Sequence, residues 1–326
     1  MPTYTGISSE AFRHPLDRQA EQTLRSLPGF DLVARKFVEF LYERPQFVYH
    51  MGNSIQVGPR QYANIYQMFR SGVRDIDVSP EPSLFVSQNP VSNAYALGQE
   101  RPSLILSSGI LDLMNEAEIR SVIAHELGHI KCGHAILSQM AIWAMGAASF
   151  IGQATLGLSN LLVSSGLIMA FYEWKRKSEL SADRAALLVM DDLNPVLHSM
   201  MKLAGGSLKH GNECSLDEFI RQSERYQELD RDGLNQMYKF LLYNNLTQGV
   251  FLSHPFLVER IGHLREWANS EEYRQIRQGN YQRGTEGAVN VPSQTPASEN
   301  DVETLRRQIE ELQQEINRVR NQSQDS

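Results

Sequence analysis

The segment 121–130, with the sequence SVIAHELGHI, constrains this chain more than any other part of it. It contains the pattern H-E-x-x-H, in which His125 and His129 lie four residues apart. Residues at this spacing share one face of an α-helix, so the two imidazoles can bind one metal ion. Glu126 lies beside them, where a carboxylate can take a proton from water. The alternative is two surface histidines on a charged helix, which the apolar flanking residues disfavour because a buried His-Glu-His needs partners.

A zinc ion held by two histidines needs at least one further ligand. In the metzincin pattern, a glycine and a histidine follow three and six residues after the second histidine, but Cys132 and Ala135 occupy these positions here. His134 would point about 140° away from the face of the two histidines if the helix continued at 100° per residue. We therefore predict that His134 is not a ligand.

The gluzincin pattern takes its third ligand, a glutamate, from a second helix. The segment 178–183 offers Glu179, and Asp183 follows four residues later on the same helical face. One of these carboxylates can bind the metal while the other orients a ligand histidine. A solvated helix face is the alternative, because the pair is surrounded by Lys175, Arg176, Lys177 and Arg184.

Four motifs together resemble the HtpX-like zinc metallopeptidases, the family shared with the CAAX prenyl endopeptidases. They are HELGH at 125–129, the E-x-x-x-D of Glu179 and Asp183, NAYALG at 93–98, and a late segment with SHP at 253–255 and Arg260-Ile261. They occur in the order of the family over roughly residues 60–270. The family usually begins with transmembrane helices or a secretory signal, and this chain shows neither.

The resemblance implies a zinc endopeptidase with one Zn²⁺ per chain. His125, His129 and Glu179 would hold the metal, and Asp183 would orient one of these ligands. Glu126 would carry the proton, and His254 would assist at the oxyanion, although a lone histidine in a capping loop is more often structural. The substrate-binding residues would be Asn93, Ala94, Tyr95 and Arg260.

We expect a mostly helical α+β fold: a zincin-like metalloprotease core with a small antiparallel sheet and a long apolar helical hairpin. Hydrophobic periodicity predicts helices at 15–45 and 61–74, and short apolar runs predict strands at 84–86, 94–97 and 104–106. Asn115 followed by Glu118 predicts a capping box, with the helix of the H-E-x-x-H motif starting near Glu116.

The predicted organisation has four parts. Residues 1–60 form an N-terminal helical segment and 61–282 the metallopeptidase domain. A linker rich in Gly, Pro, Ser and Thr covers 283–301, and an a/d heptad pattern predicts a short coiled-coil helix at 302–320. We expect residues 302–319 to self-associate or to bind a partner helix.

The segment 135–172 contains no charged residue, and we predict that it forms the hairpin. Its turn would lie near residue 154, midway between the H-E-x-x-H motif and Glu179, so that two antiparallel arms return Glu179 to the histidines. An all-apolar helix must be buried. Insertion into a membrane from the cytoplasmic side is the favoured explanation, and burial in an oligomer or a soluble helical core is the rival.

Composition bears on the binding partners and on the cellular location. The chain has 31 Lys and Arg against 38 Asp and Glu, which argues against a nucleic-acid partner. Two cysteines and no signal peptide indicate an intracellular protein, which we place at the cytoplasmic face of a membrane. The expected partner is a protein or peptide substrate, and quality-control proteolysis is the expected role. A non-proteolytic zinc-containing chaperone or scaffold, and a hydrolase of small or lipidated peptides, are the alternatives.

Overall fold

A computed structural model of the chain describes residues 2–27, 30, 34, 43–99, 101–140, 158–243 and 255–284. By its internal contacts the chain divides into the units Met1–Val289 and Asn290–Ser326, and all described residues belong to the first. The predicted coiled-coil helix at 302–320 and nearly all of the linker at 283–301 lie outside the described residues. Self-association through 302–319 therefore stays a prediction.

The sheet has four strands in the order β1-β2-β4-β3: Ile55–Gln56 (β1), Ser83–Ser87 (β2), Ala94–Leu97 (β3) and Ser103–Ser107 (β4). The three predicted strands are confirmed, and β1 was not predicted. The expectation of an antiparallel sheet is wrong, because β2 and β4 pair in parallel while β1–β2 and β3–β4 pair antiparallel. The cause is that β4 turns back from β3 and lies between β3 and β2, so it runs in the same direction as β2.

The two central strands are buried on both faces. Side chains 84–86 of β2 and 104–106 of β4 are buried throughout, without the alternation of a half-exposed strand. β3 lies at one end of the strand order and is more exposed. Its outer side is therefore one of the two edges of the described sheet.

Helices make up most of the described chain, which confirms the mostly helical α+β class. Residues 134–140 are helical as well. The helices are Pro15–Ser26 (α1), Glu43–Asn53 (α2), Ala63–Asp75 (α3), Ser108–Leu113 (α4), Glu116–Lys131 (α5), Leu158–Met190 (α6), Leu193–Gly205 (α7), Leu216–Leu229 (α8), Gly233–Tyr243 (α9), Leu257–Ala268 (α10) and Glu271–Arg277 (α11).

The first helix is shorter than predicted. It ends at Ser26, and Leu27 has the extended dihedrals φ −73° and ψ 141°. Leu27 precedes Pro28, and the proline ring disfavours the helical conformation in the residue before it. Hydrophobic periodicity across residues 15–45 does not register this break.

The N-terminal residues are part of the main core. Tyr4, Ile7 and Phe12 are buried in the same hydrophobic cluster as Ile123 and Leu127 of α5. The backbone also ties both ends of this unit together, since the Ser8 N–H donates to the Gln282 carbonyl at 3.0 Å. Residues before the predicted boundary at 60 thus belong to the same hydrophobic core as the helix of the H-E-x-x-H motif.

No long apolar hairpin is found among the described residues of 135–172, whose central part, 141–157, is not described. The described pieces are residues 135–140 and the first half of α6. Within the described part of the chain, no helix is both long enough and apolar enough to cross a lipid bilayer. Membrane insertion of 135–172 is thus not supported here and stays a prediction.

Candidate metal centre

Helix α5 carries the H-E-x-x-H motif, and its start is set by local hydrogen bonds. The Asn115 side chain accepts from the Glu118 N–H at 3.0 Å, and the Glu118 carboxylate accepts from the Asn115 N–H at 2.8 Å. This confirms the predicted capping box and the start at Glu116. Ile123, Ala124 and Leu127 are fully buried and hold the helix in the core.

Glu179, on α6, approaches both histidines of α5. Its carboxylate oxygens lie 3.3 Å from His125 Nε2 and 3.5 Å from His129 Nε2, and the two Nε2 atoms are 3.2 Å apart. One ligand atom from each residue lies within 4.8 Å of the others. The structure therefore brings together the three residues predicted as metal ligands, although Glu179 lies fifty or more residues after the two histidines in the sequence.

The three residues of the cluster suit a metal cation. Two imidazole nitrogens and one carboxylate, with a side available to a further ligand, form the set that zinc takes in catalytic sites. Glu179 is buried, and its carboxylate faces both imidazoles. The donor set and its burial thus fit a zinc ion.

Asp183 supports the first histidine. Its Oδ1 lies 3.0 Å from His125 Nδ1, so the Nδ1–H of the ring can donate to the carboxylate and leave Nε2 free toward Glu179. This is the position expected for a carboxylate that orients a ligand.

Arg260, on α10, pairs with both carboxylates of α6. Its guanidinium donates to Asp183 at 2.9 Å and 2.6 Å and lies 3.1 Å from Glu179. The substrate-binding role of Arg260 stays a prediction, and the structure pairs its guanidinium with the two carboxylates of α6. No motif spacing indicates this contact, since the residues are 77 positions or more apart.

Charge and burial set the pKa values of the metal-free site. Burial alone lowers the pKa of His125, but hydrogen bonds to Asp183 and Glu179 outweigh it and raise the pKa to about 9. Burial lowers the pKa of His129 to about 3 against the opposing effect of Glu179. For Asp183, burial is opposed by Arg260 and His125, and the pKa lies below its usual value.

His134 does not join the cluster, but it touches it. Its Nδ1 lies 3.0 Å from His129 Nδ1, and its Nε2 lies 3.0 Å from Asp17 on α1. Gly133, with φ 71°, follows the end of α5 and redirects the chain. The only sequence signal for this contact was a glycine just beyond a helix end, and nothing in the sequence indicated Asp17.

A cavity of about 380 Å³ opens onto the metal-ligand cluster. Glu126 lines it together with His125, so the carboxylate is placed to act on a molecule bound there. Apolar side chains form part of its wall: Val122, Val196, Met200 and Leu203. The cavity can therefore receive an apolar side chain next to the metal.

The predicted substrate-binding residues at 93–95 do not all lie at the cavity. Asn93 and Ala94 line the cavity, and Asn93 is held by Ser107, whose hydroxyl accepts from the Asn93 N–H at 2.9 Å. Tyr95 is on β3 and its phenol lies 3.5 Å from His50 Nε2. His254 lies outside the described residues, while its neighbours Pro255 and Phe256 line the cavity.

Comparison with known proteins adds a family match. The profile of peptidase family M48 matches residues 59–268. The chloroplastic plastoglobule-localized metallopeptidase 48 of Arabidopsis thaliana is 29% identical over 276 residues, which cover 84% of this chain and 76% of that protein. A protease HtpX homolog of Dictyoglomus turgidum is 26% identical over 208 residues, 57% of this chain and 64% of that protein. No solved structure matches the chain.

Proposed function

Because the chain belongs to peptidase family M48, we propose that it is a zinc-dependent endopeptidase. One observation carries the zinc part of the proposal: ligand atoms of His125, His129 and Glu179 converge within 4.8 Å beside an open cavity. Nitrogen and carboxylate ligands on two packed helices suit zinc, and the family and the relatives that bear protease names support peptide-bond hydrolysis.

The residues of the chain divide the work between binding and proton transfer. His125, His129 and Glu179 would hold zinc, which supplies a Lewis acid that polarises the scissile carbonyl and acidifies water. Glu126 lines the cavity one residue from His125, so it can take a proton from the attacking water and later give it to the leaving nitrogen. Asp183 keeps His125 in one tautomer through its Nδ1.

An extended peptide fits the surface that leads to this site. β3 is an edge strand, and a peptide that pairs with an edge binds through its backbone without regard to its sequence. Ala94, at the start of β3, also lines the cavity, so a peptide on this edge reaches the metal site. Such binding suits unfolded segments of proteins, and we propose protein quality control as the role.

The cavity also argues against a zinc-containing scaffold. Structural zinc sites in proteins are closed by four protein ligands, whereas catalytic sites keep one position open. Here two of the three proposed ligands, His125 and Glu179, line a cavity that is also lined by the acidic residue Glu126. An open site with a proton acceptor is the arrangement of an enzyme.

The test combines zinc content with proteolysis of casein, using purified protein and three variants. Glu126→Gln should keep one zinc per chain and lose proteolysis, because its amide cannot accept the proton. Glu179→Ala should lose both zinc and proteolysis. His210→Gln changes an exposed histidine and should leave both unchanged.

Two results would overturn the proposal. The Glu179→Ala protein with full zinc content would show that the metal is held elsewhere. Proteolysis by Glu126→Gln at the rate of the unmodified protein, or by protein freed of metal with a chelator, would exclude the mechanism.

A further inference from the structure

A chain of hydrogen bonds runs from the metal-ligand cluster to the first helix. His129 Nδ1 lies 3.0 Å from His134 Nδ1, and His134 Nε2 lies 3.0 Å from Asp17 Oδ2. His134 and Asp17 are both fully buried, with 0% of their side chains exposed. The three residues therefore form a hydrogen-bonded series, His129–His134–Asp17, whose last two members have no surface exposed to water.

Asp17 sets the direction of the hydrogen bonds in this series, because its ionised carboxylate can only accept hydrogen bonds. It also accepts from the Ser181 hydroxyl at 2.6 Å and from Arg13 Nε at 3.0 Å. The Arg13 guanidinium is thus a charged partner of Asp17 in the core. A neutral His134 must then carry its proton on Nε2 and donate it to Asp17.

The remaining protons follow from that assignment. With its proton on Nε2, His134 has a lone pair on Nδ1 and accepts from the Nδ1–H of His129. His129 then has a lone pair on Nε2, which is the atom that faces His125 Nε2 at 3.2 Å and Glu179 at 3.5 Å. The reverse order would set a lone pair of His134 against the carboxylate and an N–H of His129 where the metal binds.

We propose that His134 and Asp17 are positioning residues of the metal site, which hold His129 in the tautomer that binds zinc. The inference rests on the proposed function, since it takes His129 as a ligand. The two ligand histidines are then supported alike: His125 directly by Asp183, and His129 through one intervening imidazole by Asp17. Hydrogen-bonded carboxylates of this kind raise the basicity of a ligand histidine and fix its ring.

Local structure holds the intervening ring in place. Gly133 adopts φ 71°, a conformation that favours glycine, directly before His134. The Trp174 ring of α6 meets the His134 ring edge to face, with centroids 5.8 Å apart. The proposal gives the N-terminal helix α1 a part in metal binding. This helix lies outside residues 59–268, the region that matches the family.

The test measures zinc affinity by competition with a chromophoric chelator, in the full-length protein and four variants. Asp17→Asn and His134→Phe should each weaken zinc binding by roughly 10- to 100-fold. The double variant should bind zinc no less tightly than the single variant with the lower zinc affinity, because both changes break the same series of hydrogen bonds. Glu21→Gln is the matched control: Glu21 is on the same helix and pairs with the same Arg13, without an observed bond to His134. Its zinc affinity should stay within about twofold of the unmodified protein, as expected for a change outside the series.

Spectra of the zinc-loaded protein with ¹⁵N-labelled histidine give a second readout that does not depend on the variants. They should show His129 protonated at Nδ1 only and His134 at Nε2 only. A proton on His134 Nδ1, or an Asp17→Asn protein that binds zinc like the control, would overturn the inference. If the unmodified protein bound no zinc at all, the proposed function would fail instead. If a variant does not fold, the tautomers in the unmodified protein decide.

Discussion

Gly128 of α5 and Ala185 of α6 lie so close that no side chain fits between the two helices at this level. A β-carbon placed on Gly128 would lie 2.6 Å from the Ala185 β-carbon and 3.1 Å from the Ala182 α-carbon. Gly128 directly precedes His129, and Ala182 directly precedes Asp183. The packing of backbone on backbone thus sets the separation between the histidines and the carboxylates.

We expect Gly128→Ala to push α5 and α6 apart and to weaken both folding and zinc binding. Overpacking of this kind typically costs about 1–3 kcal/mol of unfolding free energy. Gly52→Ala is the matched control, because a β-carbon there meets nothing within 4 Å and helical alanine is favoured over glycine. Urea unfolding and chelator competition measure the two effects. A Gly128→Ala protein equal to Gly52→Ala in both would show that the contact does not matter.

Arg260 should be essential for the stability of the metal-free protein. Arg260→Ala removes the guanidinium that pairs with both Glu179 and Asp183, and the loss of one partner from a buried ion pair typically costs about 3–5 kcal/mol. Arg260→Lys should recover only part of this, because a single ammonium cannot replace a guanidinium that bonds two carboxylates. Arg265→Ala removes an exposed pair with Glu224 and should change stability by less than about 1 kcal/mol. Equal denaturation midpoints for Arg260→Ala and Arg265→Ala would contradict the prediction.

His14 should make the metal-free protein sensitive to acid. Its Nδ1 accepts from the Leu16 N–H at 3.1 Å and caps α1, which requires the unprotonated ring. Burial, with the charges of Arg184 and His263, lowers the pKa of His14 from 6.5 to about 3. Protonation therefore favours the unfolded chain, and the stability that His14 contributes is present above pH 6.5 and is lost as the pH falls toward 3.

His14→Asn is the matched variant, because asparagine caps a helix without titrating. Urea unfolding midpoints at pH 7, 5.5 and 4.5 should fall less steeply for this variant than for the unmodified protein. The carboxylates and the other histidines titrate in both proteins and cancel in the comparison. Parallel slopes would show that His14 is not the acid-sensitive group.

The uncharged segment 135–172 gives a prediction about location, based on its sequence alone. We expect the protein to stay with cell membranes after a carbonate wash, with its metal site on the cytoplasmic side. Met145→Arg puts a charge into the predicted first arm, at a cost of about 2.5–3.5 kcal/mol in a bilayer centre, and should release protein. Protein that is soluble from the start, without detergent, would exclude insertion and favour burial against another chain.

Short-range features of this protein could be predicted from its sequence, because the interactions that produce them are local. The capping box joins Asn115 to Glu118, and the histidine pair lies within one helical turn. The parallel pairing of β2 with β4 could not be predicted, because it depends on which strands become neighbours in the sheet, and β3 lies between these two in the sequence. Periodicity likewise cannot show that Asp17 meets His134, 117 residues away, or that Arg260 meets Asp183.

His134 shows how a helical extrapolation fails at a helix end. It was placed about 140° from the face of the two histidines on the assumption of a continuous helix. The helix ends at Lys131, and the positive φ of Gly133 brings the His134 ring back to His129. The expectation that His134 is not a ligand remains a prediction. Its ring nevertheless contacts His129, which the extrapolation placed on a different face.

The spread of the site along the chain has a consequence for biosynthesis. The histidines of α5 leave the ribosome fifty or more residues before Glu179, and Arg260 follows about eighty residues after that. A growing chain therefore carries two of the three proposed ligands, while the carboxylates of α6 have not yet met the arginine that neutralises them. We therefore expect the proposed peptidase activity to begin only after residue 260 has been made and α10 has packed beside the carboxylates of α6.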